Sequence, residues 1–322
     1  MPVRPQYAAQ SRAHFRETHE EVSFLSEGSN GECFLAIKAS DVDEILEDYA
    51  VDESMDVLIK RLRDSLVVAK FYKPRRDNLD KQDVQDEINF LRSLPANRPE
   101  VTSLVDYSLG EEAQWFTMKY VPGSTLCNLV RDCHKDLSTG LQWHLALGIC
   151  TRTLKRYGDL HSANLLIRPA SSLWGLEIVL ADFGRAETQP DTRIREDDFR
   201  TLRNDDYQWL GVLMESILIA NKVGKGYRYC WHEGVNPDCE ICLDKARLPT
   251  LSTSEKLLVK WAKKFRTLEV SNDDDLLELL KEFAEVAKTQ EALHGTRLNP
   301  RVEEYLEGQG LSENEILEIV GM

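Results

Sequence analysis

Val67-Val68-Ala69-Lys70 carries an apolar strand straight into a lysine. An ammonium there needs a carboxylate to hold it, because a lone charge is costly to take out of water. The helix that follows can supply one. Asp80–Leu94 sets Val84, Ile88 and Leu91 on one stripe, with Pro95 as its stop. Glu87 precedes Ile88 by one residue, but Asp83 and Asp86 flank it, and spacing alone does not choose among the three acids. A solvated helix charge is the plainer alternative for Glu87.

Around this pair the pattern is mixed. Apolar strands flank a glycine-bearing turn between Val22 and Lys38, which reads as a hairpin. The acidic interval 40–64 reads as an insertion with one or two short helices. Leu66–Tyr72, Val101–Leu109 and Trp115–Val121 read as strands, and Pro122-Gly123 then punctuates the chain. Beyond it the pattern is mainly helical. Asp206–Ile219 carries Leu210, Leu213, Met214 and Ile217 at helical spacing. Ser252…Glu255 and Ser312…Glu315 are capping boxes, the second with Leu311 and Ile316 as a hydrophobic staple. The run Asp273–Asp275 reads as the negative start of a helix rather than a metal site.

A net charge of -15 argues against a nucleic-acid surface. Met1–Arg16 lacks the apolar core of a secretory signal, and the apolar run Trp209–Ala220 is too short to span a bilayer. Seven cysteines without framework spacing suit a reducing interior, so an intracellular location, cytoplasmic or nuclear, is expected and no membrane partner.

Five fragments then fall in one order: Leu25-Ser-Glu-Gly28-Ser-Asn-Gly31-Glu-Cys-Phe34, Val67–Lys70, the helix with Glu87, Gly158-Asp159-Leu-His161-Ser-Ala-Asn164, and Asp182-Phe183-Gly184. Together they resemble the protein-kinase-like superfamily over roughly 22–286. The resemblance implies an α+β bilobal fold: a small antiparallel lobe with one helix, a hinge at Pro122-Gly123, and a larger helical lobe with ATP and magnesium between. It divides the chain into a peripheral lead (1–21), an N-lobe (22–121), a C-lobe (122–293) and a tail with a short helix (294–322).

It also implies roles. Gly28 and Gly31 would let backbone amides approach phosphate. Lys70 would clamp the phosphates and Glu87 would fix Lys70. Asp159 would be the base, with Asn164 and Asp182 holding Mg2+ and His161 near the transferring group. Backbone groups near Lys119, Tyr120 and Val121 would meet the adenine edge, with Met118 lining the site behind. Asp206 would be a structural acid starting the central buried helix.

The chain also departs from the pattern. Ser26 replaces the first loop glycine, and Tyr157-Gly158-Asp159 stands for His-Arg-Asp. The interval 182–206 is short and lacks Ala-Pro-Glu. Gly158-Asp-Leu-His161 is similar to the aminoglycoside and choline kinase branch. Three readings therefore stand: a kinase acting on protein serine or threonine, a small-molecule kinase, or a non-catalytic ATP-binding interaction module. A separate cluster, Cys230, His232, Cys239 and Cys242 within 227–245, has the ligand types of a structural Cys₃His zinc site; buried free cysteines in a surface loop are the alternative.

Overall fold

The structure is a computed structural model of the 322-residue chain. It describes residues 11–27, 31–49, 54–72, 80–94, 98–109, 114–152, 160–170, 175–183, 206–218, 251–268, 273–295 and 298–321. These residues make a mixed α+β protein with small antiparallel sheets and helices. The chain divides into two compact units. One takes Met1–Pro122, Phe183–Thr188 and Gly310–Met322, and the other takes Gly123–Asp182 and Gln189–Gln309.

The first unit is built on an antiparallel sheet of β1 (His19–Glu27), β2 (Gly31–Lys38), β3 (Leu66–Tyr72), β4 (Leu104–Leu109) and β5 (Gln114–Lys119), in the order β1-β2-β3-β5-β4. Side chains alternate across a strand, and here both faces are covered. Phe34, Ala36, Val67, Ala69, Phe71 and Trp115 form one cluster, while Leu35, Ile37 and Leu66 belong to another. By the same alternation Lys70 and Tyr72 lie on the face of Leu66, opposite to Val67, Ala69 and Phe71.

The first cover differs from the sequence expectation, whereas the insertion that makes the second forms two helices, within the one or two expected. Residues 1–21 read as a peripheral lead, yet Phe15, from a short helix α1 over residues 11–15, is fully buried and closes the first cluster. Its ring sits edge-on to Phe71 and to Trp115, each at 5.1 Å between centroids. The other face is covered by α2 (Ala39–Tyr49) and α3 (Met55–Asp64) from the acidic insertion. Residues from the far end of the chain complete it. Helix α11 (Glu313–Ile319) inserts Ile316, fully buried, among Val42, Ile45, Leu58, Ile59 and Leu62. The unit thus holds more than the single helix α4 (Asp80–Ser93) that the resemblance implies. Insertion and tail are apolar on one stripe each, and each needs the other to bury it.

The second unit is mainly helical. Its hairpin β7 (Leu165–Pro169) and β8 (Leu176–Leu180) is extended by the short strand β6 (Ser124–Thr125). Gly123 precedes β6 at φ 129°, and a Cβ there would stand 2.1 Å from the Ile167 carbonyl oxygen. Only glycine fits.

Helices α5 (Leu126–Cys133), α6 (Thr139–Arg152), α7 (residues 206–218), α8 (Thr253–Arg266), α9 (Asp273–His294) and α10 (Pro300–Glu307) fill out the unit. Trp143 of α6 stacks on Phe283 of α9 and donates to Ser254 Oγ of α8 at 2.8 Å. Both capping boxes are formed: Ser252 with Glu255, and Ser312 with Glu315. Among the described residues, no helix is long and apolar enough to cross a membrane.

Candidate functional site

Glu87 collects three of the sequence fragments in the first unit. Lys70 Nζ lies 2.8 Å from Glu87 Oε2 and 3.1 Å from Oε1. The amide of Phe183 donates to Oε1 at 3.0 Å, and the Tyr72 hydroxyl donates to Oε2. Lys70 is 5% exposed and Glu87 not at all. The ammonium also stands 5.1 Å from the Tyr72 ring centroid and 5.7 Å from that of Phe116, within cation–π range. Phe183 is itself buried and stacks on Phe90 of α4 at 5.1 Å, so the Asp-Phe-Gly fragment is moored to the helix that carries Glu87.

A buried ion pair is a poor device for stability. Desolvation consumes most of the Coulomb gain, and apolar replacements of similar volume are often as stable or more so. The buried lysine and glutamate with this many directed donors form the candidate site of the first unit. Neutral donors on both carboxylate oxygens help to hold Glu87 in place.

Gly31 opens β2 directly beside β3, paired with Tyr72. A Cβ there would lie 2.3 Å from the Phe71 carbonyl oxygen, so the sheet itself demands glycine at this position, whatever passes above it. At the other end of the sheet Met118 is buried and takes a hydrogen bond from Thr102 Oγ1 on its sulfur at 3.4 Å. The amide of Lys119 donates to Ser103 O, and that of Tyr120 to Leu66 O. Of the backbone groups expected at an adenine edge, those two donors are spent. Tyr120 also packs against the cluster that α11 completes.

The second unit brings Asn164 and Asp182 to one end of the β7–β8 hairpin. Leu165 pairs with Leu180, and the Ala181 amide donates to Asn164 O at 2.9 Å. Asn164 is buried, and Asp182 is half-buried with φ at 62°, in the left-handed region that few residues other than glycine adopt. Such an outlier is held by its surroundings and marks a place worth testing for function.

The turn before Asn164 is self-supporting. Asn164 N donates to His161 O, Ala163 N donates to His161 Nδ1 at 3.3 Å, and Cys127 N donates to Ser162 O. His161 thus helps to hold its own turn in this geometry. Asp206 is buried at the start of α7, which sinks Leu210, Leu213, Met214 and Ile217 into the unit.

Other expected residues lie outside the described ones: Gly28, Gly158, Asp159, Gly184 and the cluster of Cys230, His232, Cys239 and Cys242. Among the described residues no three His, Cys, Asp or Glu side chains gather as a metal site. The chemistry of Asn164 and Asp182 suits magnesium all the same, since that ion takes few protein oxygens and fills its octahedron with water and phosphate. Two of the described cysteines are held back from thiolate chemistry by burial. Burial pushes the Cys150 thiol up to about 12, and burial with Asp136 and Asp132 nearby pushes Cys133 up to about 11.

No protein-family model matches the chain, and no curated protein sequence matches it. Sequence reasoning missed Tyr72 and the Phe183 amide as partners of Glu87. The period of a strand could have found the first, because a residue two beyond Lys70 shares its face. Nothing in sequence signals a backbone donor.

Proposed function

We propose that this chain is an ATP- and magnesium-dependent phosphotransferase that moves the γ-phosphoryl group to a hydroxyl, with protein serine or threonine as acceptor, on a bilobal protein-kinase-like fold. One observation carries the reading. Lys70, Glu87 and Phe183, distant in sequence and each part of a different kinase-like fragment, are joined by direct hydrogen bonds at one buried carboxylate.

In this reading Lys70 neutralises phosphate charge and Glu87 holds Lys70 in position. Asn164 and Asp182 hold magnesium, which would offset charge on the phosphates. Asp159 orients the acceptor hydroxyl and takes its proton as the new P–O bond forms and the bond to the leaving oxygen breaks. Positioning and charge neutralisation supply nearly all of the acceleration in such transfers. Backbone groups near Lys119–Val121 would border the base, with Met118 behind it.

A small-molecule hydroxyl is the second reading, favoured by His161 standing where protein kinases carry a lysine. Incubation with γ-labelled ATP, magnesium and libraries of peptides and metabolites tests both. Label on a peptide serine or threonine, lost on Asp159→Asn, is the expected result, and label on a metabolite selects the second reading. No transfer to any acceptor, with ATP binding intact, would instead leave an ATP-binding interaction module.

A further inference from the structure

We infer that Tyr72 is a positioning residue for Lys70, acting through Glu87, and so sets how much of the lysine's charge is available to an anion. The inference rests on the nucleotide reading of this site. Tyr72 follows Lys70 by two residues on β3, so both side chains leave the same face of the strand. The tyrosine is 8% exposed, which leaves its hydroxyl little access to water. That hydroxyl donates to Glu87 Oε2, the same oxygen that takes Lys70 at 2.8 Å.

The bonding is symmetric in kind. Oε2 receives Lys70 and a neutral phenol, while Oε1 receives Lys70 at 3.1 Å and the neutral Phe183 amide at 3.0 Å. A carboxylate whose charge is shared with neutral donors grips an ammonium less tightly, because each donor takes up part of the same negative charge. It is also fixed in orientation on both oxygens. Without the phenol, Oε2 has Lys70 as the partner that remains of these two. The ammonium is drawn toward it and away from any phosphate it would share. Tyr72 thus contributes placement of the lysine and no contact with substrate.

The ring has a separate role. It packs against the lysine at 5.1 Å and against Phe116 at 6.3 Å. Tyr72→Phe keeps both contacts and removes only the hydroxyl, so it separates positioning from packing.

The test is a double-substitution cycle of Tyr72→Phe and Glu87→Gln in the full chain, read by magnesium–ATP affinity and by the unfolding midpoint. Tyr72→Phe is expected to melt cooperatively and to bind ATP about tenfold more weakly, the worth of one hydrogen bond to a charged group. In the Glu87→Gln background it should change affinity by less than about twofold, because coupled residues do not act independently. Tyr72→Phe binding ATP like wild type overturns the inference while leaving the phosphotransferase reading in place. So do two effects that simply multiply, as packing alone would give. Wild-type protein that binds no magnesium–ATP overturns both.

Discussion

Glu87 shows how one residue can be settled by its donors rather than by its helix. Helical spacing leaves it level with Asp83 and Asp86, and the choice becomes plain only when Lys70, Tyr72 and Phe183 are seen on its oxygens. Lys70→Met should therefore destabilise the protein by about 3 kcal/mol, since it leaves a buried carboxylate without its cation. Chemical denaturation would measure that loss, and an effect within experimental error would mean that Glu87 is neutralised in another way. Glu21 offers a pH test away from the site. Burial pushes its carboxyl up, but hydrogen bonds from Arg12 at 2.6 Å and Arg16 at 3.1 Å outweigh that and hold it below the ordinary carboxylate value. A folded value below the unfolded one stabilises the protein above the unfolded value and loses that stability as pH falls through the folded one. Glu21→Gln should cost about 1 kcal/mol at pH 7, a modest figure because Arg16 is largely exposed. Urea melts of both proteins should draw together as pH falls from the ordinary glutamate value of about 4.3 through the lower folded one.

Whole elements were legible where periodicity and capping chemistry are local. Strand β3 runs from Leu66 to Tyr72, as its apolar run implies, and both serine–glutamate capping boxes form. Tertiary partners were not legible, because an apolar stripe says that a face is buried and not what buries it. Helix 11–15 and helix α11 are the clearest cases. The first read as part of a peripheral lead and carries the fully buried Phe15, and the second read as a tail helix and is folded against α2 and α3. The site divides in the same way. Lys70 and the helix that partners it could be picked from the sequence, whereas the choice of Glu87 over its acidic neighbours, the Phe183 amide, the left-handed Asp182 and the sheet contact that demands Gly31 depend on three-dimensional geometry. Two truncations test the packing. Phe15→Ala and Ile316→Ala should each cost about 3 kcal/mol by thermal or chemical unfolding, as large-to-small changes at fully buried positions do. A cost near zero for Ile316→Ala would show that α11 does not cover the insertion in solution.

Across the whole molecule, the chain passes between units four times, at Pro122–Gly123, Asp182–Phe183, Thr188–Gln189 and Gln309–Gly310. The first unit is therefore assembled from segments far apart in sequence, and Asp182 and Phe183, neighbours in one fragment, belong to different units. A chain stopped after Gln309 lacks α11 and exposes the apolar face of α2 and α3, so its melting temperature should fall by several degrees for each kcal/mol lost. Calorimetry would detect the drop, and an unchanged melt would assign the tail no part in the fold. The functional account stands or falls on whether Lys70, Asn164 and Asp182 serve one magnesium–nucleotide complex. Isothermal titration of wild type, Lys70→Met and Asp182→Asn with ATP, each with magnesium and with a chelator, addresses that directly. The account predicts that wild type binds ATP only with magnesium, that Lys70→Met binds about a hundredfold more weakly, near the 2–3 kcal/mol of a lost charged contact, and that Asp182→Asn loses the response to magnesium. Equal binding by all three proteins, or none by wild type, would contradict it.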